Sequence, residues 1–150
     1  MLDIACGFGQ DGLSLAQTGA AVHFLDVSPV VLAHVEARAT ALGLDVETTA
    51  FDTTADSLPP GPWDLVSCVH YLDRDLLTRI GSVVAPNGRV AVAIATTTNL
   101  ERHERPSQRF LLDPEELPHL IEQDGTLKVV HFDEAWRANG AHEAWVVAAR

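Results

Sequence analysis

The first 26 residues constrain the fold most. "MLDIACGFGQDG" runs the end of an apolar strand into a glycine-rich turn, and "AVHFLD" (residues 21–26) follows as a second compact apolar run that ends in an acid. A strand end, a turn that opens a helix and a second strand in so short a stretch form a βαβ unit, which demands parallel strands and a right-handed crossover. Residues 9–17 are read as a short helix stopped near Gly19. Gly7-Phe-Gly9-Gln-Asp-Gly12 matches G-x-G-x-x-G literally, and Asp26 stands 19 residues (26 − 7) after Gly7, where an acid takes ribose hydroxyls. Glycines at 7 and 9 let backbone approach a ligand closely and offer amide donors. An adenosine-type cofactor is therefore expected at this turn.

The remaining chain keeps alternating. Ser28-Pro29 supplies an N-cap and a proline at the first helical position, and the helix runs to about Leu42 with Leu32, Val35, Ala39 and Leu42 inward. "VETTAFD" (46–52) and "LVSCVH" (65–70) read as the third and fourth strands. Asp73 caps a helix with Leu76, Leu77, Ile80 and Val84 inward, and "PNG" (86–88) turns the chain into the fifth strand, "RVAVAIA". Asp113-Pro114-Glu115-Glu116 resembles a capping box at the head of another helix. Strands near 127–132 and 143–149 flank the hairpin signal Asn139-Gly140. The expected fold is α/β: a three-layer Rossmann-like, mostly parallel sheet of about seven strands, with an antiparallel strand from the C-terminal hairpin. Residues 53–63 link strands three and four; crossing three strand spacings, about 14 Å, needs no helix there.

With 150 residues, 47% of them hydrophobic, the chain suits one domain spanning residues 1–150. Its formal net charge of −11 disfavours nucleic acid as a partner. No apolar run reaches the ~20 residues that span a bilayer, and no secretory leader pattern is seen, so no membrane partner and a cytoplasmic location are expected. Cys6 and Cys68 lie in apolar segments and are read as reduced, and the seven histidines show no metal-site spacing.

The literal fingerprint favours a dinucleotide, but other residues oppose it. Asp3 sits in the strand end just before the turn, where its carboxylate would repel a pyrophosphate and would suit an ammonium or sulfonium. The sole tyrosine, Tyr71, has Asp75 four residues on, and the sole lysine is Lys128, so a Tyr-x-x-x-Lys hydride-transfer pattern is absent. No lysine follows the glycines, which removes the P-loop pattern. Gly12 then reads as an early helix residue.

At this point the chain resembles the class I S-adenosylmethionine-dependent methyltransferases. The carrying residues are "LDIACGFG" (2–9), "FLDVSP" (24–29), "AFD" (50–52), "WDLVSCVHYLDRDLL" (63–77) and "APNGRVAVAIA" (85–95), in order across the chain. "HYLDRDLL" with "RPSQRFLLDPEEL" (105–117) resembles a bacterial branch related to tellurite-resistance and thiopurine-type enzymes. The resemblance implies S-adenosyl-L-methionine as cofactor and a small-molecule methyl acceptor. It implies that Asp3 and the backbone of Ala5, Gly7 and Gly9 hold the amino acid end, with Ala5 where the family commonly has a glycine. Asp26, with Val27 beside it, would take the ribose hydroxyls. Asp52, between Phe51 and Thr53, would accept from the adenine amino group, and Val69 and His70 would flank the methionine side.

His70 is the candidate base for a protic acceptor, with a histidine packed at a strand end as the plainer reading. Tyr71 either seals the pocket or touches substrate. "NLERHERPSQR" (99–109) gathers Arg102, His103, Arg105 and Arg109 after the fifth strand, and Arg105 and Arg109 are candidates to meet an anionic acceptor. The family usually places helices before its first strand, so the chain reads as N-terminally truncated. An uncovered sheet face could then be closed by a homodimer. A nicotinamide oxidoreductase and a non-catalytic cofactor-binding or interaction module stand as alternatives.

Overall fold

The opening stretch folds as Leu2–Ile4 (β1), Gln10–Ala16 (α1) and His23–Asp26 (β2), with β1 and β2 parallel, in a computed structural model that describes residues 1–150. Pro29–Ala41 (α2) follows, its N-cap Ser28 accepting from the Val31 amide at 3.4 Å. Leu32, Val35 and Ala39 are buried along one face. Leu42, expected on that stripe, is exposed, because the helix ends one residue earlier and the chain turns at Gly43. Glu47–Ala50 (β3) and Trp63–Val69 (β4) are both parallel to their neighbours.

Arg74–Arg79 (α3) begins at Asp73, whose carboxylate accepts from the Leu76 amide at 3.0 Å. Replacing Asp73 with Ala removes this cap and is expected to cost about 1 kcal/mol, read as a lower urea midpoint at unchanged slope.

Val84–Ala95 (β5) is longer than expected and contains the Pro-Asn-Gly segment. Trp63 pairs with Val84 and Leu65 with Arg89, so that segment is an irregular insertion within the strand, with Asn87 at φ 65°, and not a turn before it. Glu116–Glu122 (α4) starts two residues later than the capping pattern suggests. The Glu116 carboxylate accepts from the Asp113 amide at 2.8 Å, half of a capping box, and also from Arg74 at 2.6 and 2.8 Å. Lys128–Trp136 (β6) and His142–Ala149 (β7) close the chain as an antiparallel hairpin.

The sheet order is β3-β2-β1-β4-β5-β7-β6, with β7 antiparallel to both neighbours. Strand alternation divides the side chains. Leu2, Ile4, Leu25, Val66, Cys68, Val90, Val92, Ile94, Ala144 and Val146 form the larger core with Leu76, Leu77, Leu117 and Ile121 of α3 and α4. Phe24 forms the smaller core with Leu13 and Ala16 of α1 and Leu32, Val35 and Ala39 of α2. Full burial of each leucine contributes roughly 1.5–3 kcal/mol. Trp145, on the β7 face opposite the larger core, is 45% exposed, while Ala91, Ala93 and Val147 are half-buried. No helix is long and apolar enough to cross a membrane.

Gly12 lies in the first turn of α1, as expected, but its lack of a side chain is required. A Cβ there would stand 2.3 Å from Phe24 Cε1 and 2.8 Å from Asp3 Oδ2. Gly9, at φ 67°, is less tightly confined: its Cβ would meet Val35 at 3.0 Å and Phe24 at 3.2 Å. The two glycines set how closely α1 approaches the sheet.

Candidate cofactor and acceptor site

The turn after β1 alternates into the left-handed region at Ala5 (φ 53°), Gly7 (φ 51°) and Gly9 (φ 67°). For Ala5 that conformation costs about 1 kcal/mol or more, which is the physical reason a glycine is commoner there. Asp26, at the end of β2, holds the turn from beside it. Its Oδ2 accepts from the Gly7 amide at 3.0 Å and its Oδ1 from the Ser28 amide at 2.9 Å. One carboxylate thus ties the glycine turn to the head of α2, and each oxygen keeps a lone pair for a ligand.

Two clefts open at the carboxyl ends of the parallel strands, where α/β sheets present ligands. The first, about 250 Å³, is lined by Ala5, Asp26, Val27, Phe51, Asp52, Thr53, His70 and Tyr71. The second, about 340 Å³, is lined by Asp3, Ala5, Cys6, Gly7, Phe8, Gln10, Asp11, Val69 and His70. They meet at Ala5 and His70. Every residue expected to hold the cofactor lines one of them except Gly9, which sits under α2 and serves packing. A larger cavity, about 590 Å³, opens beside Met1, His23, Glu47 and Trp63. It lies at the amino ends of the strands, away from the glycine turn and the acids.

Asp3 is 4% exposed and has no cationic partner; it accepts from the Ser67 hydroxyl at 2.6 Å. Burial pushes its carboxyl up to about 6, with Asp11 adding to the rise and the Ser67 and Gly12 donors opposing it. Such a carboxylate gains from a positive ligand. Asp52 is the contrast: the Thr54 hydroxyl at 2.7 Å and amide at 2.9 Å bond its Oδ1 and hold it below the usual carboxylate range. Burial raises the Cys6 and Cys68 thiols to about 12; both are free and unreactive as nucleophiles.

Tyr71 closes a wall of the first cleft, its hydroxyl 2.7 Å from that of Thr53. Arg105 and Arg109 are exposed and line a separate shallow depression, with the Arg109 guanidinium 4.4 Å above the Phe110 ring. Their loop is fastened to the β6–β7 turn. Arg102 stacks 3.8 Å from the Trp136 ring centroid, and a His103 ring nitrogen donates to the Gly140 carbonyl at 2.8 Å. No group of three or more His, Cys, Asp or Glu is placed to hold a metal ion.

Glu143 is the site residue that sequence reasoning missed. It opens the antiparallel β7, which brings it beside Ala95 at the carboxyl end of β5. Its carboxylate lies 3.1 Å from His70 Nε2. The only local signal is an acid at a position alternating with Trp145 and Val147 in an apolar strand.

A family model described as "Methyltransferase domain" matches residues 1–88. The mitochondrial ubiquinone biosynthesis O-methyltransferase of Schizosaccharomyces pombe is 31% identical over 110 residues, which is 68% of this chain and 40% of that protein. The chain thus spans well under half the length of the curated relatives it matches. TehB from Haemophilus influenzae superposes with a TM-score of 0.81 at 18% identity, over 99% of this chain and 56% of TehB. Magnesium protoporphyrin IX methyltransferase from Synechocystis, solved with bound SAH (S-adenosylhomocysteine), gives 0.78 at 17% identity over 99% of this chain and 72% of that one. At these identities both are likenesses of fold.

Proposed function

The chain belongs to the class I S-adenosylmethionine-dependent methyltransferase family, and from that membership we propose that residues 1–150, as one domain, bind S-adenosylmethionine in the paired clefts and serve methyl transfer to an oxygen of a small-molecule acceptor. The observation that carries the reading is Asp3, a buried carboxylate with no cation of its own at the head of the glycine turn. It fits the ammonium end of this cofactor and opposes a pyrophosphate. Asp26, already aimed by the Gly7 and Ser28 amides, fits the ribose diol. Asp52, fixed by Thr54, fits the adenine amino group, with Phe51 and Tyr71 as walls. Oxygen as the accepting atom is supported by the names of the curated relatives, which are O-methyltransferases.

When bound, the cofactor supplies a sulfonium methyl, already activated for in-line displacement. What the protein must add is alignment of an acceptor and removal of water, which suits a site without metal ligands or a reactive thiol. Titration calorimetry with S-adenosylhomocysteine and with NAD tests this: heat of binding is expected from the first and none from the second. Binding of NAD with none of the homocysteine ligand would reverse it.

A further inference from the structure

We propose that Glu143 is the positioning residue of a His70–Glu143 dyad: its carboxylate keeps the imidazole proton on Nε2 and leaves Nδ1 bare to take the proton of the methyl acceptor. The proposal rests on the methyl-transfer reading above.

Glu143 is 2% exposed, yet its carboxylate is served by three donors. Trp145 Nε1 donates to Oε2 at 2.7 Å, Asn139 Nδ2 donates to Oε1 at 3.4 Å, and His70 Nε2 lies 3.1 Å from Oε1. An ionised carboxylate only accepts, so the imidazole nitrogen facing it carries the hydrogen. Burial works against ionisation, but the Trp145, Asn139 and His70 donors more than offset it and hold Glu143 below the usual range. Nδ1 has no partner. The His70 side chain is 61% exposed and lines both clefts. Its backbone is left-handed (φ 58°), pinned by a hydrogen bond that the His70 amide donates to the Ala93 carbonyl at 2.7 Å. That conformation takes the residue out of the β4 alternation where the two clefts meet, and non-glycine strain of this kind gathers at working sites.

The step balances. The acceptor's oxygen forms a bond to the methyl carbon with its lone pair while the carbon–sulfur bond breaks and leaves its electron pair on sulfur. His70 Nδ1 takes the proton from that oxygen. The positive charge lost at sulfur reappears on the imidazolium, against the buried negative charge of Glu143.

The deciding substitution is Glu143→Gln. A glutamine has one acceptor oxygen, which the Trp145 indole claims as the closest donor. Its amide nitrogen then faces His70 as a donor, so Nε2 must accept and the proton moves to Nδ1. Nitrogen-15 NMR of histidine-labelled, cofactor-free protein at about pH 8 reads the tautomer directly. The wild type is expected as Nε2–H, Glu143→Gln as Nδ1–H, and Glu143→Asp as Nε2–H. With a protic acceptor, Glu143→Gln should lower kcat by about 10²–10⁴-fold, leaving the affinity for S-adenosylhomocysteine unchanged. A wild-type His70 with its proton on Nδ1 overturns the dyad, and so does Glu143→Gln with the tautomer unmoved. Should the glutamine variant not fold, the wild-type and aspartate spectra decide. Failure of the wild type to bind S-adenosylhomocysteine overturns the methyl-transfer reading instead, a result the tautomer measurement is independent of.

Discussion

Asp3→Asn is expected to weaken binding of S-adenosylhomocysteine by about 10²-fold, the loss that follows when a charged hydrogen-bond partner of an ammonium is removed, while making the free protein harder to unfold at pH 7. Both effects come from the same burial. The carboxyl titrates at about 6 in the folded chain against an ordinary 3.8. Between these values the folded state retains a proton that the unfolded state has released, so stability falls as pH rises through the window and is flat above it. Below 3.8 the carboxyl is neutral in both states and the penalty vanishes. Above 6 the penalty is about 3 kcal/mol from the size of the shift. An asparagine carries none of it, but its amide hydrogens lack a partner beside Ser67, so a net gain of about 1–2 kcal/mol is expected. Urea unfolding of both proteins at pH 7 and near pH 4 should show the variant more stable at the first and less stable at the second, where the carboxylate penalty is nearly gone and the amide cost remains. The wild type should also lose affinity for the ligand as pH falls through 6, because the ammonium then meets a neutral carboxyl, and the variant should show no such fall. A variant that binds like the wild type would remove Asp3 from contact with the cofactor.

The same residues show how far local sequence carries. Ser28-Pro29 and Asp73 mark helix starts by their own chemistry, and both cap as expected. The glycine turn and Asp26 were legible because their spacing along the chain fixes their place at the strand ends, and Asp52 through the family resemblance. What escaped depends on partners distant in sequence. The Pro-Asn-Gly insertion is visible only against the register of β4, which pairs on both sides of it. Glu116, the first residue of α4, is bonded by Arg74, 42 residues away. Glu143 is separated from His70 by 73 residues, and their meeting follows from β7 running antiparallel beside β5. Arg105 and Arg109 stand out in sequence as candidates to meet an anionic acceptor, but the tie of their loop to the hairpin through Arg102 and His103 joins segments distant in sequence and is visible only in the fold.

Gly12→Ala tests the part of the opening motif that looks least informative. In an unconfined helix the change stabilises by about 1 kcal/mol. Here the added carbon would overlap Phe24 Cε1 at 2.3 Å and Cζ at 2.7 Å, and would press on Asp3 Oδ2 at 2.8 Å. Phe24 is fully buried among Leu13, Val35 and Ala39 and has no space to yield into. Either α1 lifts off the sheet or the ring leaves its rotamer; overpacking of this kind costs about 1–3 kcal/mol and occasionally more. The expected net result is a loss of about 2 kcal/mol, or a Tm lower by roughly 4–8 °C for a chain of this length. Ser14→Ala, at an exposed position of the same helix, should be neutral or slightly stabilising. Because the displaced carboxylate is that of Asp3, affinity for S-adenosylhomocysteine should fall together with stability. A stable Gly12→Ala protein with unchanged affinity would mean that α1 does not sit this close to the sheet. The third glycine of the fingerprint therefore sets helix-to-sheet distance for a cationic ligand as it would for a pyrophosphate, and the choice between those ligands falls to Asp3.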